Sequence, residues 1–198
     1  MINTNIIFSM RDTMKIFELP ARIDASEMSI GIVLSRFNED IGKGLLKGAL
    51  RFLEEHGADP EMVTLVRVPG ALEIPFALQT LAQTNAYDAL VALGAVIRGE
   101  TYHFEIVSNE SARGISQIAV EFDIPIGNGV LTCDNDEQAL ARMEQKGYEA
   151  VAAAVEMANM ANTLFDSVIS SGDEFDLNDD EYTDMDDDDF DEENDRED

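Results

Sequence analysis

Short apolar runs alternate along this chain with segments of helical periodicity. Four such runs indicate strands, and the first and third are apolar throughout, which is typical of strands buried in a parallel sheet. The four runs are Ser29–Ser35 (SIGIVLS), Val63–Val68 (VTLVRV), Ala89–Ile97 (ALVALGAVI) and Ile126–Thr132 (IGNGVLT, interrupted by glycine). We therefore predict four strands, each followed by a helix.

The helices are predicted from apolar spacing and from turn residues. Apolar positions recur at helical spacing from Ile41 to Leu53, and Gly57 and Pro60 mark a stop. Further helices are predicted at Leu72–Thr84, at His103–Phe122, from near Glu137 (capped by Asp134, Asn135 or Asp136) and at Tyr148–Phe165. The alternating order predicts an α/β fold, a three-layer αβα sandwich around a four-stranded parallel sheet of flavodoxin-like type.

Neither end of the chain fits this pattern. Residues 1–27 are assigned to an N-terminal arm, either loose or forming a strand that pairs elsewhere, and residues 28–168 to the folded domain. Residues 169–198 have no apolar period and cannot bury enough surface to offset the entropy cost of ordering. We predict a disordered acidic tail there.

Most of the negative charge lies in that tail. The formal net charge is -28, but residues 173–198 contain 17 acidic residues and one basic residue, which leaves -12 for the rest. This charge argues against nucleic acid and anionic membrane surfaces as partners, because both are bound through Lys and Arg. The tail is predicted to be solubilising, with docking to a basic partner as the alternative.

The single cysteine, Cys133, excludes an intrachain disulfide and makes a zinc cluster implausible. The chain has no apolar stretch as long as a membrane span, and its first twenty residues do not make a good signal peptide. We therefore expect a cytoplasmic protein.

Candidate chemistry follows from the topology, because ligands of such sheets bind beyond the carboxyl ends of the strands. That rule selects residues 36–38, 69–73, 98–103 and 127–129, together with Arg142 on the following helix. Phe37 offers a ring for stacking, Glu73 a carboxylate, and residues 99–101 a helix start whose backbone N–H groups suit an anion. His103 changes charge near neutral pH. The combination predicts a site for a flat heterocycle and a phosphorylated small molecule.

The same segments resemble the lumazine synthase family. Four motifs carry the resemblance, in order and spacing over about residues 25–165: RFNEDI (Arg36–Ile41), VPGALEIP (Val68–Pro75), GAVIRGETYHFE (Gly94–Glu105) and GVLTCDNDEQALAR (Gly129–Arg142). The resemblance implies a transferase that condenses 5-amino-6-(D-ribitylamino)uracil with 3,4-dihydroxy-2-butanone 4-phosphate. The products would be 6,7-dimethyl-8-ribityllumazine, phosphate and water, in the penultimate step of riboflavin biosynthesis. No cofactor and no metal are implied.

The resemblance also implies roles for individual residues. His103 would shuttle protons, Glu100 and Thr101 would hold the phosphate of the ketone, and Arg142 would clamp it with its planar donor fork. The pyrimidine pocket would be formed by eight residues: Phe37, Ala71, Leu72, Glu73, Ala95, Val96, Ile97 and Asn128. In the family each site spans a subunit interface, so we expect a homo-oligomer in which Arg142 reaches a neighbour's pocket.

Two departures from the family pattern affect these expectations. Asn128 stands where many members have phenylalanine, although some members carry asparagine. The longer Gly-Asn linker that accompanies icosahedral shells is missing after Arg142, where the chain continues with residues 143–147. A pentamer or a pair of pentamers is therefore favoured over a shell. A relative that binds riboflavin or lumazine without turnover is the main alternative to the enzyme.

Overall fold

One four-stranded, all-parallel sheet forms the centre of the protein. The computed structural model describes residues 18–170. The strands β1 (Ile30–Ser35), β2 (Val63–Val68), β3 (Ala89–Ile97) and β4 (Ile126–Cys133) lie in the order β2-β1-β3-β4. This arrangement confirms the predicted α/β class and the flavodoxin-like parallel sheet. The predicted bounds of β2 and β3 are confirmed, and those of β1 and β4 differ by one residue.

Five α-helices cover the sheet in the described part of the chain. They are α1 (Glu39–Glu55), α2 (Ile74–Ala82), α3 (His103–Glu121), α4 (Asp136–Leu140) and α5 (Met143–Ser170). Short 3-10 turns at Pro60–Met62 and Ala71–Glu73 precede β2 and α2. The predicted cap of α4 is confirmed at Asn135, whose side chain accepts a hydrogen bond from the backbone N–H of Gln138 at 2.9 Å.

The apolar side chains divide into two clusters, one on each face of the sheet. Helices α1 and α5 pack on one face, where Phe52, Leu45 and Val155 are fully buried. Helices α2 and α3 pack on the other, where Leu78 and Ile115 are buried. Strands β1 and β3 are sandwiched between the clusters, which explains why their sequences are apolar at nearly every position.

Helices α2 and α5 start at residues clearly different from those predicted. Helix α2 begins at Ile74 rather than Leu72, because Ala71–Glu73 forms a 3-10 turn and Pro75 occupies the first helical turn. Helix α5 begins at Met143, five residues before its predicted start, so residues 143–147 are helical and follow α4 almost directly. It also continues to Ser170, so residues 169–170 of the predicted tail are helical.

The early start of α5 is explained by its close crossing with α1. A Cβ atom on Gly147 would lie 1.9 Å from the backbone oxygen of Leu45, and one on Gly48 would lie 1.9 Å from that of Glu144. Glycine at both positions lets the two backbones approach within contact distance. The segment that looked like a linker remnant is therefore the most tightly packed part of the helix pair.

Residues 18–27 of the predicted arm form neither a helix nor a strand. They lie against the chain's own helices: Asn159 on α5 donates hydrogen bonds to the carbonyl oxygens of Arg22 and Asp24 at 3.3 and 3.0 Å. Ala25 is fully buried beside them. This part of the arm is thus neither loose nor a strand. The rest of the predicted arm and residues 171–198 of the predicted acidic tail lie outside the described residues.

No helix within residues 18–170 is both long and apolar enough to span a bilayer.

Candidate functional site

A cavity of about 420 Å³ opens at the carboxyl edge of the sheet. It is lined by residues that follow β1 and β2 and by residues at the end of β3. The chain reverses its direction across the sheet between β1 and β3, so the cavity lies at the topological switch point where such folds bind ligands. Its volume suits a small organic ligand.

The first wall comes from the turn after β1. Phe37 lines the cavity and is 69% exposed, so its ring is free to contact a ligand. The next residue, Asn38, has a left-handed backbone with φ 61°, and its side-chain amide donates to the carbonyl oxygen of Ala95 at 3.0 Å. This hydrogen bond ties the turn that carries Phe37 to the end of β3.

The second wall comes from the turn after β2. Gly70, Ala71, Leu72 and Glu73 line the cavity. Neither Glu73 oxygen accepts a hydrogen bond from any described residue, and one of them would be 3.1 Å from a Cβ atom placed on Gly70. The carboxylate therefore lies over a glycine and keeps its acceptor capacity for a ligand.

The third wall is the end of β3 with the chain that follows it. Ala95, Val96 and Ile97 line the cavity beside Gly99 and Thr101. The predicted start of α3 at His103 is confirmed, so residues 99–101, which were expected to open this helix, precede its first turn. Residues 99–101 form a loop just before that helix, and their backbone N–H groups donate to no acceptor among the described residues.

The first turn of α3 completes the cavity. His103, Phe104 and Val107 line it, and the imidazole of His103 makes no hydrogen bond to a described residue. Unpaired backbone N–H groups at a helix start favour an anion. The cavity therefore offers anion-binding donors beside a histidine at the start of α3, and a ring and a carboxylate from the turns after β1 and β2.

Nine of the twelve predicted site residues line this one cavity. The other three are Glu100, Asn128 and Arg142. Asn128 lies on the outer edge strand β4, paired with Ala92 in the middle of β3, and its side-chain oxygen accepts from the Val130 backbone N–H at 3.0 Å. Arg142 is exposed between α4 and α5 and donates to the Gln138 carbonyl oxygen at 2.8 Å.

Four lining residues were given no individual role from the sequence: Gly70, Gly99, Phe104 and Val107. The two glycines lie within the segments 69–73 and 98–103 that the sequence had selected. Phe104 and Val107 follow His103 at helical spacing, so the period of α3 already placed them near the same face. Asn38 lies in the selected segment 36–38, but its hydrogen bond to Ala95, which spans 57 positions of sequence, was not predicted.

An ion-pair network lies directly behind the third wall. The Arg98 guanidinium pairs with Glu105 and with Asp134, the latter at 2.9 Å. The hydrogen bond from Arg98 holds the pKa of the Glu105 carboxyl below its usual value, and these carboxylates raise the pKa of Arg98. Burial raises the pKa of the nearby Cys133 thiol, so this cysteine is poorly suited to act as a nucleophile.

Comparisons with known proteins identify relatives over most of the chain. Residues 27–162 match the family described as 6,7-dimethyl-8-ribityllumazine synthase. A protein of that name from Paraburkholderia phymatum is 58% identical over 151 residues, covering 76% of this chain and 88% of that protein. Proteins of the same name from Nitrosospira multiformis and Burkholderia mallei are each 56% identical, covering 75% and 76% of this chain and 93% and 87% of those proteins.

Proposed function

The chain belongs to the 6,7-dimethyl-8-ribityllumazine synthase family, and we infer that it catalyses the reaction for which the family is named. It condenses 5-amino-6-(D-ribitylamino)uracil with 3,4-dihydroxy-2-butanone 4-phosphate to give 6,7-dimethyl-8-ribityllumazine, phosphate and water. This is a transferase reaction in riboflavin biosynthesis. The observation that carries the inference is one cavity that brings together Phe37, Glu73 and His103 from three separate motifs.

The pyrimidine is proposed to bind at the end of the cavity formed by β1 and β2. Phe37 would stack on its ring, and the free carboxylate of Glu73 would accept hydrogen bonds from ring or ribityl donors. Ala71 and Leu72 would line the ribityl side. Ala95, Val96 and Ile97 would contact the pyrimidine through the end of β3, where backbone groups suit its amide-like edge.

The phosphorylated ketone is proposed to bind at the start of α3. Backbone N–H groups of residues 99–101 and the hydroxyl of Thr101 are free to donate to a phosphate, with Glu100 contributing through its backbone. His103, the first residue of α3, lies two positions after Thr101. The two reactants would therefore meet near this histidine, and holding them together contributes much of the expected rate enhancement.

The proposed chemistry needs only proton transfers. The 5-amino group attacks the ketone carbonyl and loses water to form a Schiff base. Elimination then releases inorganic phosphate, and the ribityl-bearing nitrogen closes the second ring with loss of a second water. His103 is proposed as the general acid and base, a contribution typically worth about 10²–10⁴-fold.

A homo-oligomer, most simply a pentamer or a pair of pentamers, is proposed to complete the site. Arg142 and Asn128 do not line the cavity of their own chain, and both are exposed. Arg142 in a neighbouring subunit would bring the cation that the phosphate end lacks, and Asn128 would approach the pyrimidine. We also propose a cytoplasmic location, since the unpaired Cys133 suits a reducing compartment.

The function is tested with both substrates and the purified full-length protein. Lumazine absorbance and inorganic phosphate should rise together in equal amounts. Tight flavin or lumazine binding without phosphate release would instead show a binding protein that does not turn over.

The shared site is tested by subunit mixing. His103→Ala and Arg142→Ala are each expected to be nearly inactive when assembled alone. Mixed oligomers of the two should recover part of the activity, because some interfaces then combine an intact His103 with an intact Arg142. A mixture of His103→Ala with Phe37→Ala is the matched control: both residues line one chain's cavity, so mixing should add no activity beyond that of the Phe37→Ala subunits alone. If the test mixture recovers no activity, Arg142 belongs to the same chain's site as His103, and the shared site is wrong.

A further inference from the structure

Arg98 connects three parts of the fold behind the cavity. Its backbone N–H donates to the Cys133 carbonyl oxygen at 2.9 Å, which extends the pairing of β3 with β4 by one residue. Its guanidinium donates through Nε to Asp134 at 2.9 Å and through another nitrogen to Glu105 in the first turn of α3. The guanidinium also lies 4.1 Å from the centre of the Phe104 ring.

These contacts enclose the loop that precedes α3. The loop, residues 99–102, is four residues long and has few contacts of its own: a Cβ atom on Gly99 would meet nothing within 4 Å. Arg98 precedes the loop and His103 follows it. The ion pair between Arg98 and Glu105, which we call the clasp, joins the two sides of the loop. The positions of Thr101 and His103 therefore depend on Arg98.

The network continues beyond Asp134 to the region of Arg142. The backbone N–H of Asp134 donates to the Gln138 side-chain oxygen at 3.1 Å, and the Gln138 carbonyl accepts from Arg142 at 2.8 Å. Hydrogen bonds thus run without a break from the first turn of α3 to Arg142. The helix turn that carries His103 is therefore joined through Glu105 and one guanidinium to the segment that carries Arg142.

We propose that Arg98 is a positioning residue for the reaction: it fixes the loop 99–102 and the start of α3 against the end of β4, and so places Thr101 and His103 at the cavity. This rests on the proposed function. Arg98 does not line the cavity, and its charge is already matched by two carboxylates, so it holds other groups rather than substrate. A planar guanidinium suits this task, because it stacks on Phe104 while its fork spans two acceptors.

The contribution of Arg98 is geometric rather than a large ion-pair energy. Its side chain is 44% exposed, and such pairs contribute little to folding on their own. A displacement of about 1 Å at a reacting group, in contrast, can slow a reaction by up to about 100-fold. Removing Arg98 should therefore affect turnover much more than stability.

The test compares Arg98→Met and Glu105→Gln with wild type in steady-state kinetics. Both variants should lower kcat by about 10- to 100-fold and raise KM for the phosphorylated ketone. KM for the pyrimidine should stay within about twofold, because Phe37 and Glu73 lie after β1 and β2, outside the network. Arg51→Met is the matched control: Arg51 also pairs with a glutamate and lies 4.8 Å from the centre of an aromatic ring, but on α1 away from the cavity.

Glu105→Gln separates positioning from direct binding of phosphate by Arg98. It removes an anion partner but leaves the cation, so a direct phosphate ligand would bind phosphate as well or better. Unchanged kcat in either Arg98→Met or Glu105→Gln, with an active wild type, would overturn the proposal. If Arg98→Met does not fold, the kcat of Glu105→Gln alone tests the positioning role.

Amide hydrogen exchange of the unliganded protein tests the clasp without catalysis. Peptides covering residues 106–112, whose amides are hydrogen-bonded within the first turns of α3, should exchange faster in Arg98→Met and Glu105→Gln than in wild type or Arg51→Met. Unchanged exchange there would contradict the clasp even in a protein that makes no lumazine. If the wild-type protein shows no turnover, the proposed function is contradicted. The exchange experiment then tests on its own whether Arg98 holds the loop in place.

Discussion

Replacing Phe37 with alanine should weaken pyrimidine binding and leave the fold almost intact. The ring is 69% exposed, so only about a third of it is removed from water on folding. Complete burial of a phenylalanine contributes about 1.5–3 kcal/mol, so the loss of folding stability should stay below about 1 kcal/mol. Stacking of a flat base on an aromatic side chain contributes about 1–3 kcal/mol, so binding should suffer more than folding.

That range of energies predicts a rise of about 5- to 150-fold in KM for the pyrimidine. The expected change in kcat is small, because the ring stacks on the pyrimidine before and during the reaction alike. KM for the phosphorylated ketone should be unchanged, since Phe37 is proposed to contact the pyrimidine and not the phosphate. Initial rates over a grid of both substrate concentrations give kcat and the two KM values. Thermal unfolding of the same samples gives the change in folding stability.

Phe165→Ala is the control for this experiment. Phe165 is 68% exposed, almost the same fraction as Phe37, but it lies near the end of α5 on the opposite face of the sheet. Its loss should leave both KM values unchanged. An unchanged pyrimidine KM in Phe37→Ala, or an equal rise in both variants, would refute the stacking role.

Three further predictions concern the helix crossing, the histidine and the tail. Gly48→Ala should destabilise the protein by about 2 kcal/mol or more, because a Cβ atom 1.9 Å from a backbone oxygen forces α1 and α5 apart. The control is Gly42→Ala on the same helix, where the Cβ atom meets only contacts of 3.4 Å and the change should be neutral or stabilising by up to about 1 kcal/mol. Chemical unfolding of both variants at one protein concentration measures the difference in stability. His103→Ala should lower kcat by about 10²–10⁴-fold without dissociating the oligomer, as measured by turnover and light scattering, and an unchanged rate would remove its proton-transfer role. Deleting residues 173–198 should leave turnover unchanged, and a large loss would show that the acidic segment takes part in the reaction.

The sequence predicted the sheet more accurately than the helices. The bounds of β2 and β3 were predicted to the residue, for different reasons: β3 is a buried, continuous apolar run that ends before Arg98, whereas β2 is a largely exposed edge strand that ends before Pro69 and Gly70. Helix α5 was predicted to start five residues late. Its first turn contains Glu144, Lys146 and Gly147, which look like a linker, and only the contact with α1 shows why glycine is needed there.

The sequence predicted those site residues that lie in local motifs, but not the contacts between distant segments that hold them in place. Each strand exit carries its own ligand-binding residues, so the topology rule alone brought Phe37, Glu73 and His103 to one edge of the sheet. The contacts from Asn38 to Ala95 and from Arg98 to Asp134 join residues 57 and 36 positions apart. Neither contact leaves a periodic signal in the sequence, so both required the folded chain.

The hydrogen bond from Asn38 to Ala95 also makes the site sensitive to slow chemical damage. Hydrolysis of the asparagine amide, the kind of ageing to which this residue type is prone, would turn a donor into a carboxylate. Two acceptors would then face each other at 3.0 Å, and the turn that carries Phe37 would be pushed away from β3. An old preparation could thus lose activity while every residue that contacts substrate is still chemically intact.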